Sequence, residues 1–249
     1  MPGIGDFEAI IDRLAWSWDH LQTFKIDVAA TGMDYHWVPL PKVETQSGTY
    51  IDYVIDEATP LPGHLKFVLG DCIHSLRASL DNLVYALCPT DYAEFPVCKV
   101  SDQWPRAKGK IKAINESALT MLYDLQPFQP QSGGGTAERN KLWILDRLWN
   151  DDKHRAPHIS FATTDEAHLD CPDGEIIWAI FNSDALELGT KICRVWITPN
   201  TEPELITQFA LEITFDRFGP IRGSPVYPTL VDLHQFVREI VEDFRPFFI

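Results

Sequence analysis

The sequence predicts an α+β fold: a helical bundle, a mostly antiparallel β-sheet and a C-terminal amphipathic helix. Three observations predict it. Apolar residues recur at helical spacing over four stretches of the first 156 residues and again over 229–245. Short segments rich in Val, Ile, Tyr and Trp fall at 33–57 and again within 157–228. Turn residues, above all Pro and Gly, separate them.

The first helix spans 6–31. Asp6 can cap it, Phe7, Ile10, Ile11, Leu14, Trp18 and Leu21 share one stripe, and Gly32 stops it. Residues 33–40 and 49–56 read as paired strands. Pro60-Leu61-Pro62-Gly63 opens a central helix that runs to Leu87, where Cys88-Pro89 ends it. Gly70 inside it costs about 1 kcal/mol against Ala, which points to a close neighbour or a local break there. An extended 94–97 precedes a helix over 104–125 and a Pro/Gly-rich loop over 126–135. Thr136 caps a helix reaching Arg155, with Leu142, Leu145, Leu148 and Trp149 on its apolar face. Strands follow at 159–163, 175–181, 191–198 and 205–215. Their alternating Trp178, Trp196, Phe209 and Phe215 suit core packing. A last helix over 229–245 turns Leu230, Leu233, Val237, Ile240, Val241 and Phe244 inward. If the early strands join the later sheet, residues 1–249 form one unit: a helical part to about 156, a sheet-rich part over 157–228 and the terminal helix.

The formal net charge of −15 argues against a broad grip on nucleic acid, which needs many phosphate-neutralising cations, but not against a local basic site. Five cysteines with no C-x-x-C spacing read as buried free thiols in a reducing compartment. No signal peptide and no long apolar run is visible, so a soluble, cytoplasmic protein without membrane contact is expected. Walker, dinucleotide-binding and Gly-x-Ser-x-Gly motifs are absent.

Chemistry concentrates in two polar groups. On the central helix Asp71, His74, Arg77 and Asp81 form a stripe beside the apolar one of Ile73, Leu76, Leu80, Leu83, Val84 and Leu87. The helix ending at Arg155 carries Asn150, Asp152, Lys153, His154 and Arg155. If the two helices pack antiparallel, the groups meet. The isolated His20, His36, His64, His158, His168 and His234 lack such company.

Gly70-Asp71-x-x-His74-x-Leu76-Arg77-x-x-Leu80-Asp81, Phe95-Pro96, Gln126-Pro127-Phe128 and Leu148-x-Asn150-x-Asp152-Lys153-His154-Arg155 resemble a widespread bacterial and phage family of hypothetical proteins. The resemblance covers about residues 33–160 and carries no function. A weaker resemblance is to HEPN-like helical proteins, many of them metal-independent ribonucleases or toxins. Their hallmark, Arg, four to six residues, then His, fits Arg147 and His154, although Leu148 stands where a polar residue is usual. This resemblance implies His154 as general acid/base, Arg147 as phosphate stabiliser, Asn150 nearby, a site shared across a homodimer, and RNA as partner.

Three uses of these residues compete. They can form an ion-pair network that fixes helix packing. They can form a site, with His154, Arg147, Asn150 and His74 catalytic, and Asp71, Arg77, Asp81, Asp152, Lys153 and Arg155 binding RNA or another phosphate-bearing ligand. Asp71-x-x-His74 also has metal-ligand spacing, but the interleaved Arg77, Lys153 and Arg155 would repel a cation. No metal or other cofactor is therefore expected.

Overall fold

The structure is a computed structural model that describes residues 4–31, 35–130, 136–154, 159–170, 176–181, 188–198, 206–216 and 221–248. Arg155, His158, Cys171, the triple-glycine stretch and residues 199–202 lie outside the described residues, as do the side chains of His168, Trp178 and Phe209. The architecture is α+β, with helices, antiparallel sheets and a C-terminal helix. Among the described residues no helix is long and apolar enough to cross a membrane.

Helix α1 (Ile4–Ala30) starts before Asp6, which sits in its first turn rather than capping it. Of its expected stripe, Phe7, Ile10, Leu14 and Leu21 are buried, Ile11 is half-buried and Trp18 is exposed; Phe24 extends the buried face. It packs along α2 (His64–Leu87) and beside α6 (Val226–Asp243). Helix α2 is central and also meets α5 (Lys141–His154). Leu65, Leu69, Ile73, Leu76, Leu80, Leu83 and Val84 are all fully buried along it. The stripe expected for α6 is buried as well, although the helix begins earlier, at Val226.

Two element boundaries differ from expectation for capping reasons. The stretch 104–125 is two helices, α3 (Trp104–Lys110) and α4 (Glu116–Asp124). Asn115 caps α4 by accepting a 2.8 Å hydrogen bond from the Ser117 N–H. Ile111 and Ile114 are buried in the turn between them, so they kept the helical spacing without a helix. Helix α5 is capped by Asn140, not Thr136: the Asn140 carboxamide oxygen accepts from the Leu142 and Trp143 N–H groups at 2.9 and 3.3 Å.

The strands form two antiparallel sheets rather than one. The larger contains β1 (Tyr35–Pro39), β2 (Val43–Thr45), β3 (Gly48–Ala58), β5 (Ile176–Phe181) and β6 (Lys191–Ile197). The smaller pairs β4 (Ile159–Asp170) with β7 (Ile206–Phe215). The strand expected over 159–163 thus runs on to Asp170 and includes His168. The early strands do join the later sheet, because β3 pairs with β6. At the β2–β3 turn Gly48 adopts φ +135°, a region that side chains rarely enter.

Alternation fixes the faces of the larger sheet. Ile51, Tyr53 and Ile55 with Cys193, Val195 and Ile197 turn into the core shared with the helices. Tyr50, Asp52, Arg194 and Trp196 occupy the opposite face. Trp196 is thus not a core residue: it is half-buried and stacks on Tyr50 with ring centroids 5.6 Å apart. Phe215 is in the core.

Candidate functional site

Helices α2 and α5 run antiparallel, and three contacts set their register. Asp152 lies against Gly70, so close that a Cβ on Gly70 would fall 2.5 Å from its carboxylate oxygen. One turn on, the Trp149 indole N–H points at His74 Nδ1, 3.4 Å away. A further turn on, Arg77 faces Asp146, with 4.0 Å from Nε to Oδ1. Each step of three or four residues up α2 meets a step of three residues down α5, as side chains on facing helix stripes do. Gly70 stays within an unbroken helix; of the two reasons expected for it, the close neighbour is the one found.

Arg77 is the unusual residue of this seam. It is 3% exposed, although its neighbours Asp71 and His74 on the same stripe are exposed. Its Nη2 donates to the Phe95 carbonyl at 2.8 Å and lies 3.1 Å from the Asp81 carboxylate. The Trp149 ring stacks over the guanidinium, 5.2 Å from centroid to Cζ, and the Lys153 ammonium lies over the same ring. Nε and Nη1 are buried with no hydrogen-bond partner. A guanidinium has five N–H bonds; three of them here lack an acceptor.

The segment after α2 is held rigidly beside Arg77. The Phe95 N–H donates to Asp81 at 2.8 Å. The buried Gln126 side chain accepts from the Cys98 N–H at 2.8 Å and donates to the Pro96 carbonyl at 3.1 Å. The Phe95-Pro96 and Gln126-Pro127 pieces of the sequence are thereby joined.

Between this segment, α3 and α5 lies a cleft of about 420 Å³. Its walls include Arg77, Arg106, Lys110 and Lys153 against two carboxylates, Glu94 and Asp146. Lys110 is paired with Glu94. Phe95, Pro96, Val97, Cys98, Ala107 and Trp143 supply an apolar side.

The carboxylates respond to this setting. Burial pushes Asp146 above the usual carboxylate range, and the Asp81 charge adds to that; Arg77, Arg147 and Lys153 pull it back. Burial raises Asp81 too, against the pull of Arg77 and of the Phe95 N–H. Asp152 is raised by burial and by the Asp71 charge, while His74 lowers it. Buried Cys72 is pushed up to about 12, so its thiol is inert.

Of the residues singled out in the sequence, the structure brings Asp71, His74 and Asp152 together, and separately Arg77, Asp81 and Lys153. Asn150 lines the cleft but turns its amide to the Asp146 carbonyl and carboxylate, at 2.8 and 3.1 Å. Arg147 is exposed and lies over Trp143, and His154 is exposed at the end of α5; neither lines the cleft. Among the described residues no group of three His, Cys, Asp or Glu side chains converges as metal ligands would. Several histidines that looked isolated have partners: His36 with Asp56, His64 with Asp27, and buried His234 with the Leu14 carbonyl.

Sequence reasoning missed Asp146, Trp143, Arg106, Lys110 and Glu94. The available signals were Asp146, one turn before Asn150, and the basic pair Arg106 and Lys110, four residues apart on one helix face.

Fold and site together define an α+β protein with a cationic cleft beside the packed pair α2 and α5. Comparison with protein-family models, curated proteins and solved structures finds no match to this chain.

Proposed function

We propose that the protein binds a phosphate-bearing ligand in the cleft beside α2 and α5, with Arg77 as its anchor. One observation carries this reading: a guanidinium 3% exposed, in the cleft wall, keeps Nε and Nη1 without an acceptor. A buried donor left unpaired costs about 1–3 kcal/mol, and more when charged. An oxyanion in the cleft would supply the missing acceptors as charge-assisted hydrogen bonds. Arg106, Lys110 and Lys153 add positive charge at one place on a chain whose net charge is −15.

Calorimetric titration with inorganic phosphate tests this. Arg77→Lys keeps the charge and loses the fork, and should weaken binding at least tenfold. Lys153→Ala, an exposed change, should weaken it several-fold without altering the fold. Wild-type affinity in both variants would refute the reading and leave Arg77 a packing residue.

A ribonuclease reading draws on a different observation. Arg147 and His154 are both exposed on α5, seven residues apart on one face, and are thus accessible to a second chain. Metal-independent cleavage of labelled RNA, lost in His154→Ala and kept in His168→Ala, is its test.

A further inference from the structure

We infer that the ligand of this cleft is a small molecule with one terminal phosphate monoester on an apolar, ring-bearing body, and not an RNA chain. This rests on the anion-binding reading above and adds the rest of the ligand to it.

Size comes first. A phosphate group displaces only a few water volumes of about 30 Å³ each, whereas the cleft is about 420 Å³. That is within the range of small-molecule sites, roughly 300–1,000 Å³. An anion at Arg77 therefore leaves most of the cleft for the remainder of the molecule.

The chemistry of the wall says what that remainder is. Away from the charged groups the lining is Phe95, Pro96, Val97, Ala107 and the Trp143 ring, with the amide side chains of Gln103 and Asn150 beside them. Cys98 joins them as a neutral thiol, since burial raises it. A surface of this kind favours an uncharged, flat, apolar group.

Charge limits the phosphate to one. Four cationic side chains line the cleft with Glu94 and Asp146, and Asp81 lies 3.1 Å from Arg77, so the positive surplus is small and suits one phosphate group rather than several. A phosphate diester brings a single charge, and an RNA chain would carry its further phosphates beyond the cleft, over a chain of net charge −15. Trp149 and Lys153 lie stacked over Arg77, so an oxyanion reaching Nε or Nη1 passes that stack and disturbs the indole.

The experiment is a set of titrations of the whole protein at pH 8, where monoesters are dianionic, by calorimetry and tryptophan fluorescence. Inorganic phosphate, phenyl phosphate, methyl phenyl phosphate and a single-stranded oligoribonucleotide without terminal phosphate are compared. Phenyl phosphate should bind at least tenfold tighter than inorganic phosphate and at least tenfold tighter than the diester. The oligoribonucleotide should bind most weakly. Trp143→Ala should cancel the gain from the ring, so that phenyl phosphate binds that variant no tighter than inorganic phosphate does; Trp149→Phe should remove most of the fluorescence response.

Phenyl phosphate no tighter than inorganic phosphate, or a diester or RNA that binds as well, overturns this inference. The anion site itself survives that result if inorganic phosphate binding still depends on Arg77 and Lys153. If no phosphate binds, both fall.

Discussion

Two arginines of this chain meet carboxylates in opposite ways. Arg194, on the outer face of the larger sheet, grips Asp52 with Nε and Nη2 at 2.6 and 2.9 Å, and its guanidinium stacks 3.9 Å from the Tyr50 ring centre. Lys191 adds a second cation 2.5 Å from Asp52. The Arg194 hydrogen bonds hold the Asp52 carboxyl below its usual range, despite the opposing effect of burial. Arg77 is far more buried, yet Asp81 meets it through Nη2 alone, and Asp146 stands at 4.0 Å. Burial wins at both of those carboxylates and raises them. The difference teaches how to separate a closed ion pair from an open site. Where partners satisfy one another, the carboxylate is stabilised as an anion; where they do not, charge is buried at a cost and a third party is wanted.

The largest effect should come from replacing each arginine by methionine. Arg77→Met breaks a buried charge cluster, and removing one partner of such a group costs about 3 kcal/mol or more; phosphate binding should vanish with it. Arg194→Met should lower the melting temperature less and leave phosphate affinity unchanged. Thermal unfolding and calorimetry on both variants check this, and equal loss of binding in the two would erase the contrast.

Next comes Asp146. Ionised, it repels an anion beside Arg77; protonated, it does not. Its folded-state value lies above the ordinary 3.8, so affinity should be highest at low pH and fall as pH rises through that raised value. Sulfate, which stays a dianion throughout, isolates this titration from that of phosphate. Asp146→Asn should flatten the pH profile and tighten binding at pH 7 by about tenfold, the size of a 1.4 kcal/mol repulsion. An unchanged profile would show that another group governs it, with Asp81, Glu94, Arg77, Arg106, Lys110 and Lys153 as its charged neighbours.

Asp52 should behave with the opposite sign. Its folded-state value lies below the ordinary 3.8. The unfolded chain therefore takes up the proton first as pH falls. The stability that Asp52 contributes is complete above 3.8 and is lost as pH drops through the folded value. Asp52→Asn should lower the melting temperature by about 2–4 °C at pH 7, the effect of a partly screened pair in a protein of this size. The gap between variant and wild type should close in acid.

Periodicity carried much of this structure. The stripes of α1, α2 and α6 were legible because apolar spacing alone decides which face is buried. The meeting of α2 with α5 was legible because two polar stripes on adjacent bundle helices need one another. The split at Asn115 was not, since Ile111 and Ile114 hold helical spacing while buried in a turn. Nor was the cleft. Arg106 and Lys110 reach it only through the fold of the α3 turn, and the burial of Arg77 depends on Phe95 and Trp149 closing over it, which no local pattern encodes. Arg147 and His154 stood out by spacing, yet neither lines the cleft wall.

The smallest effect sharpens the other end of the seam, where Asp152 sits against Gly70. Alanine in a helix interior is favoured over glycine by about 1 kcal/mol, but a Cβ on Gly70 would lie 2.5 Å from an Asp152 oxygen. In the wild-type background the carboxylate must swing away, and the gain should shrink or reverse. In an Asp152→Ala background those carboxylate atoms are gone, and Gly70→Ala should recover up to about 1 kcal/mol. Denaturant unfolding of the four proteins of this cycle measures the coupling. Equal gains in both backgrounds would mean that Asp152 does not press on Gly70 in solution, and that the register of α2 against α5 rests on the Arg77 and His74 contacts alone.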